Sequence, residues 1–354
     1  MVSGSRTALA GAALVAAATL LAGCASADDG STSGTGAPEK LTFVSYGGSG
    51  QEAQIKAFQE PYTAAHPNVT FANSSPADVA QVKAQVQAGV VQWDVMSVAP
   101  AAAKQNCGTL FEKLSVPKLD PKDLSPQAVG ECYVGNWSNA TIFGYNAAKY
   151  PEGPKSLKDF FDTAKFPGKR GVITNLQNGI LEFPLLADGV APDKLYPIDV
   201  DRALRKWDTI RKDTLFAANV GALQQAASAD QVDMFLLPDS RMISLLNDKK
   251  NVKMVWDTTV ITLNALAVPL GSKHKAAAED FLQSLVQPEP AAKIAEALGV
   301  VPVNVNAKPN LSENARQLEV NGPVNTGKSV TQDIDWYSQN FDAVTTRLGN
   351  WLVG

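Results

Sequence analysis

The chain has 354 residues, enough for two domains or one large one and for a sizeable buried core. Hydrophobic residues make up 45% and charged residues 19%, a balance that excludes a disordered chain. The formal net charge of −4 argues against a nucleic-acid binder, and 2 His and 3 Cys, scattered along the chain, cannot build a zinc cluster. No metal and no cofactor is therefore expected.

The chain opens with Arg6 and an apolar run from Ala8 to Ala22, which is short of the roughly 20 residues that span a bilayer as a helix. The run ends in Leu21-Ala22-Gly23-Cys24, which resembles the bacterial lipobox. The expectation is a signal peptide over 1–23, lipidation of Cys24 and a flexible polar tether over 24–39. A plain signal peptide with an incidental Cys is the alternative. On the first reading the protein sits outside the cytoplasm of a bacterium, held to the membrane by its lipid alone. Lipidation of Cys24 leaves Cys107 and Cys132 in an oxidising compartment. One disulfide is the economical pairing, and two buried free thiols are the alternative.

Alternation over Leu41–Tyr46 predicts a strand that breaks into Gly47-Gly48-Ser49-Gly50. A helix follows with Ile55, Phe58 and Tyr62 on one face, then a strand at Val69–Phe71. A second helix carries Val79, Val82 and Val86 and stops at Gly89, and a third strand spans Trp93–Val98. Strands are read again at Thr141–Tyr145, Gly171–Thr174, Met234–Leu237, Val252–Trp256 and Leu263–Val268. Helices are read around Leu204–Arg211, Met242–Leu246, Ala277–Leu285 and Ala291–Leu298. Strands alternating with helices point to α/β lobes with mostly parallel sheets flanked by helices, and the pattern parses into two of them.

Gly322-Pro-Val-Asn-Thr-Gly327-Lys328-Ser329 fits the phosphate-loop pattern, but the stretch before it, Ser312–Glu319, is polar and helix-like where a buried strand is required. Neither His66 nor His274 stands in a catalytic motif, so Ser–His catalysis has no base and no catalytic residue is expected. What remains is a set of loops at strand ends, where open α/β sheets bind ligands. Tyr46, Gly47, Gly48, Ser97, Thr174, Asn175, Asp239 and Arg241 stand at such ends, and Trp137, Asn139, Thr262 and Asn264 stand on the segments that connect the lobes. Each has an alternative role. Asp239 caps the following helix, the glycines serve only a turn, Trp137 is core, and Asn264 bonds to backbone.

Several stretches together resemble the spermidine/putrescine-type extracellular solute-binding proteins of ABC importers. They are Ser45-Tyr-Gly-Gly-Ser-Gly-Gln-Glu-Ala-Gln54, Gln92-Trp-Asp-Val95, Phe143-Gly-Tyr-Asn146, Lys165-Phe-Pro-Gly-Lys-Arg-Gly171, Leu181-Glu-Phe183, Leu186-Ala-Asp-Gly-Val190 and Gln287-Pro-Glu-Pro290. The resemblance implies a two-lobed fold of the type 2 periplasmic-binding-protein kind, joined by crossover strands. Lobe 1 would take 40–140 plus 264–304, and lobe 2 would take 141–263 plus 305–354. It also implies a solute in the interlobe cleft, delivery to a permease, a monomer, and a Cys107–Cys132 pair.

The departures from that family bear on the ligand. Where its polyamine binders carry acids, this chain has the acid-free stretch Asn175–Gly179 and Asn264, and Thr262 replaces an aromatic. Asp239 and Arg241 offer one charge of each sign, which suits a zwitterion, amino-acid-like or opine-like, better than a dication. The expected function is capture of a small polar nitrogenous solute, with polyamine retained as one possibility. A carboxylate-dependent hydrolase, or a sensor or adhesion protein on the same fold, are the rival readings.

Overall fold

A computed structural model describes residues 38–354 apart from Asn321, Val324 and Thr326. Cys24, the signal peptide and nearly all of the tether lie outside the described residues.

Leu41 and Phe43 point inward from β1 (Glu39–Val44), whose polar neighbours face out. The chain turns through glycines into α1 (Gly48–Gln54), which runs through a widened turn into α2 (Glu60–Ala65). β2 (Val69–Ser74) is followed by α3 (Val79–Ala88), capped by the Asp78 side chain on the Ala80 N–H and ended by Gly89 at φ 65°. β3 (Val95–Val98) and α4 (Pro100–Gln105) complete this unit. β4 (Val129–Gly130) then leads into the long β5 (Tyr133–Asn146).

The second unit is built from α5 (Leu157–Phe161), β6 (Arg170–Ile173), α6 (Glu182–Ala187), α7 (Val200–Asp208), β7 (Thr214–Ala217), α8 (Val220–Ser228), β8 (Met234–Pro238) and α9 (Asp239–Asn247). β9 (Val252–Ala267) carries the chain back to α10 (Lys275–Leu285) and α11 (Pro288–Leu298). β10 (Val301–Pro302), α12 (Glu313–Arg316), β11 (Lys328–Thr331) and α13 (Ile334–Val353) follow. Among the described residues no helix is long and apolar enough to cross a membrane.

The main strand order is β2-β1-β3-β9-β5-β8-β6-β7. Each end is a parallel trio, β2-β1-β3 and β8-β6-β7, as expected of strands joined through helices. β9 and β5 lie between the trios and pair antiparallel with them and with each other. Separate apolar clusters back the two ends. Phe43, Phe58, Phe281 and Ile294 pack together on one side, and Phe143, Phe160, Phe183 and Trp207 on the other.

Three features differ from the sequence reading. Val252–Trp256 and Leu263–Ala267 belong to one strand, because the polar stretch between them pairs with β5 on one side and β11 on the other. The strand read at Thr141–Tyr145 begins at Tyr133, so Trp137 and Asn139 lie in the sheet. The 20-residue α13, for which no element was expected, is N-capped by Asp333 on the Trp336 N–H and buries Ile334, Tyr337, Val344 and Leu348. It reaches both units, with Lys104 of α4 paired to Asp335 and Asp201 of α7 paired to Arg347. Lys328 opens a strand that pairs parallel with β9, so the glycines before it lead into a strand where a phosphate loop leads into a helix.

Cys107 and Cys132 form a disulfide closing a separation of 25 residues. A chain-entropy estimate makes this worth about 3 kcal/mol. Replacing both by Ser should lower the unfolding free energy in urea by that amount. Reductant should destabilise the natural protein equally and leave the variant unchanged; insensitivity of the natural protein would show that the bond carries no stability.

Candidate functional site

The two crossover strands make a polar floor. Trp137 and Asn139 are two apart on β5 and so share a face, and their register partners on β9 are Asn264 and Thr262. Above this floor lies a cavity of about 440 Å³. One wall is the loop Tyr46-Gly47-Gly48 with Gln51 and Gln54 of α1, and the facing walls are Asn175–Asn178, Ala218–Gly221 and the entry to α9. Gly47 and Gly48 hold φ of 76° and 59°, a left-handed turn that a side chain would strain.

Charge is unevenly placed. Among the described residues that line the cavity, Arg241 is the one charged side chain, and there is no Asp or Glu. Arg241 is only 7% exposed. Its Nη1 donates to Ser49 Oγ at 2.7 Å, and it has no carboxylate within 4.0 Å among the described residues. A Cβ on Gly48 or Gly50 would stand 3.4 Å from its guanidinium nitrogens, so both glycines let the group lie close against the loop. Burial lowers its pKa, and it remains a cation.

Further polar atoms stand without partners. Trp137 Nε1, Asn175 Oδ1 and Asn264 Oδ1 are buried and form no hydrogen bond, although their residues all line the cavity. Asn139 Oδ1 accepts from Ser240 Oγ at 2.9 Å, which leaves its amide N–H groups as the donors. The site thus combines an uncompensated cation, one aromatic N–H and two amide carbonyls.

Nine of the residues expected from sequence line this cavity: Tyr46, Gly47, Gly48, Trp137, Asn139, Asn175, Arg241, Thr262 and Asn264. Trp137 is both core and site, since its residue is 4% exposed while its ring nitrogen has no protein partner. Ser97, Thr174 and Asp239 do not line it. The Ser97 hydroxyl lies behind that of the lining residue Ser45, 3.0 Å from its Oγ, which also accepts from Gln54 Nε2 at 2.7 Å. Thr174 gives both its N–H and its hydroxyl to Ala217 O, at 2.9 and 3.2 Å, tying the end of β6 to β7.

The expectation that Asp239 meets a ligand ammonium is corrected. The β5–β8 ladder ends at the Thr141–Pro238 pair because the chain enters α9 there. The Asp239 carboxylate instead takes the next strand N–H, that of Ala140, at 2.8 Å, and the Ser240 N–H at 2.6 Å. It is wholly buried and spent on backbone.

Sequence reasoning passed over Gln51, Gln54, Gln177, Asn178 and Asn219 as lining residues. The three-residue spacing of Gln51 and Gln54 after a glycine loop was a usable signal, since it puts both on one helix face. Asn219 reads first as the cap of α8, a role it also fills by accepting from the Ala222 N–H.

This two-lobed α/β arrangement with crossover strands is that of the solute-binding proteins whose solved structures it matches. The chain belongs to the bacterial extracellular solute-binding protein family, which matches residues 53–318. Such proteins act outside the cytoplasm. A gamma-aminobutyric acid (GABA)-binding protein of Pseudomonas aeruginosa is 27% identical over 322 residues, covering 89% of this chain and 91% of the relative. A solved GABA receptor, Atu4243, is 33% identical with a TM-score of 0.80, covering 88% of this chain and 97% of its own. AgtB of A. tumefaciens R10, solved in complex with agropinic acid, is 28% identical with a TM-score of 0.80, covering 89% and 99%.

The state of Asp239 gives a pH prediction. Burial pushes its pKa well above the usual range, opposed by the hydrogen bonds from Ala140 and Ser240. The native chain then holds a proton that the unfolded chain releases near pH 4, so this group's contribution to stability falls as pH rises from about 4. Unfolding free energies in urea should therefore decline more steeply with pH for the natural protein than for Asp239→Asn. Parallel profiles would refute the assignment.

Proposed function

We propose that the protein is the solute receptor of an ABC importer and that it captures a small nitrogenous solute bearing a carboxylate. The observation that carries this is Arg241, a buried cation lining a cavity where no Asp or Glu among the described residues meets it. A desolvated charge needs an opposite charge or several oriented dipoles, and a ligand carboxylate supplies the first in bidentate geometry. The amides and the Trp137 N–H offer the remaining hydrogen bonds for amine, amide or hydroxyl groups. Two relatives named for GABA and one solved with agropinic acid support an amino-acid-like or opine-like solute over a polyamine. A diammonium would bring two positive charges beside Arg241 with no carboxylate among the described lining residues to receive either.

The ligand set on this reading is Tyr46, Gly47, Gly48, Trp137, Asn139, Asn175, Arg241, Thr262 and Asn264, with Ser97, Thr174 and Asp239 as supports. Lobe 1 takes 40–140 plus 264–304 and lobe 2 takes 141–263 plus 305–354, closing on the solute as hinged bodies. No step of covalent chemistry is assigned. The buried carboxylates Asp239 and Glu182 are engaged elsewhere, the latter accepting from Tyr196, Tyr337 and Gln332.

Titration calorimetry of GABA, agropinic acid and putrescine against the natural protein and Arg241→Ala tests the reading. The substitution should weaken binding of a carboxylated solute by about 2–4 kcal/mol, the range for losing one partner of a desolvated charge pair. Tight putrescine binding that is unchanged in Arg241→Ala would restore the polyamine reading.

On the same proposal the receptor is a monomer tethered through lipidated Cys24. Cys24→Ala should move it from the membrane fraction to the soluble fraction after a salt wash, because a lipid chain supplies the anchoring energy. Retention on membranes would overturn the anchor.

A further inference from the structure

Asn175 and Asn264 come from different lobes as proposed above, one on the loop after β6 and one within β9. Each carries a buried carbonyl oxygen without a partner, and both residues line the same cavity; Trp137 Nε1, across the β5–β9 register from Asn264, is likewise unpartnered. Thr141 Oγ1, two residues beyond Asn139 on β5, is also unpartnered, but Thr141 does not line the cavity, and other lining amides are satisfied. Asn139 Oδ1 has Ser240, and Gln54 bonds Ser45 and Asn136. Buried unpaired carbonyls are costly, so these two mark places where a ligand donor completes the site.

Both are amides, and among the described residues no carboxylate lines the cavity beside them. An amide carbonyl accepts a hydrogen bond from N–H or O–H, charged or neutral, and brings no net charge to neutralise a cationic donor as a carboxylate would. Arg241 meanwhile gives the cavity a single positive charge, which opposes a second cation. We infer that Asn175 and Asn264 are the specificity-determining residues for the nitrogen end of the solute, and that they read it by hydrogen bonding rather than by charge. The inference rests on the carboxylate reading of Arg241. The solute class it defines is a carboxylate whose far end carries hydrogen-bond donors, ammonium, amide or hydroxyl alike, and the amides keep out diamines.

The probes are GABA and 4-hydroxybutyrate, which share a chain and a carboxylate and differ in ammonium against hydroxyl. Calorimetry should give affinities within tenfold of each other for the natural protein. In Asn264→Asp and in Asn175→Asp the ratio should shift more than tenfold toward GABA, since each installs an anion for the ammonium. The two variants lie on a strand and on a loop, so a folding failure in one, read from its melting curve, leaves the other informative.

A natural protein that already favours GABA by more than tenfold overturns the inference. So does an unchanged ratio in folded variants. In either case GABA binding that Arg241→Ala abolishes leaves the carboxylate reading standing. Binding of agropinic acid with neither probe bound also sinks the inference alone, and failure of every carboxylate to bind sinks both.

Discussion

A guanidinium shut away from bulk water costs several kcal/mol unless an anion or a full set of acceptors meets it. Arg241 is held in that state by a single hydrogen bond to Ser49. Its position follows from the backbone around it. β8 passes into α9 without a loop, which sets Arg241 at the third position of the helix, on the turn that borders the cavity. The glycines on either side of Ser49 lie so close to the guanidinium that a Cβ on either would touch it, at 3.4 Å. Residues almost two hundred positions apart thus meet over one charge, and what separates this cleft from a neutral polar hollow is that the charge has no anionic partner among the described residues.

The acid nearest in sequence shows why that charge stays uncompensated. Asp239 stands two residues before Arg241, and from the sequence the two read as an ion pair or as the two poles of a zwitterion site. Helical geometry decides otherwise. Residues i and i+2 point to different sides of a helix, so the arginine that reaches the cavity leaves the aspartate facing the sheet. There it finishes the hydrogen bonding of β5 at the point where β8 can no longer supply it. The same carboxylate that anchors α9 is thereby withheld from the ligand, and the cleft keeps its positive sign.

The general plan was legible because it rests on periodicity and on turn chemistry. Alternating Leu41 and Phe43, the run Tyr46-Gly47-Gly48 and the helical spacing of Val79, Val82 and Val86 each carry their structure locally. Of the nine candidates that line the cavity, five came from the rule that ligands gather at strand ends and four from the segments that connect the lobes. The rest depended on long-range facts. Ser97 is separated from the cavity by the hydroxyl of Ser45, 52 positions earlier, and Asp239 turns on a strand about a hundred residues away. The middle of β9 was hidden by its run of threonines, whereas α13 was simply passed over, since Ile334, Tyr337, Phe341, Val344 and Leu348 keep a helical three-and-four spacing. Cys107 and Cys132 left two readings open that only proximity decides.

The crossover strands tie the mechanical and chemical roles together. β5 and β9 are antiparallel neighbours that continue through both halves of the sheet, so any rotation of one trio against the other must be absorbed along them. The register breaks that the pair shows, between Gly135 and Trp137 and between Thr141 and Phe143, flank the stretch bearing Trp137, Asn139, Thr262 and Asn264. β-bulges bend a strand and re-aim its side chains. Four site residues therefore sit on the regular segment between two bends. That segment keeps the floor flat and its unpaired donors and acceptors fixed, while Arg241 and the Gly48–Gly50 loop approach from the walls. The floor groups are thus fixed by the sheet, whereas Arg241 and the glycine loop belong to elements outside it.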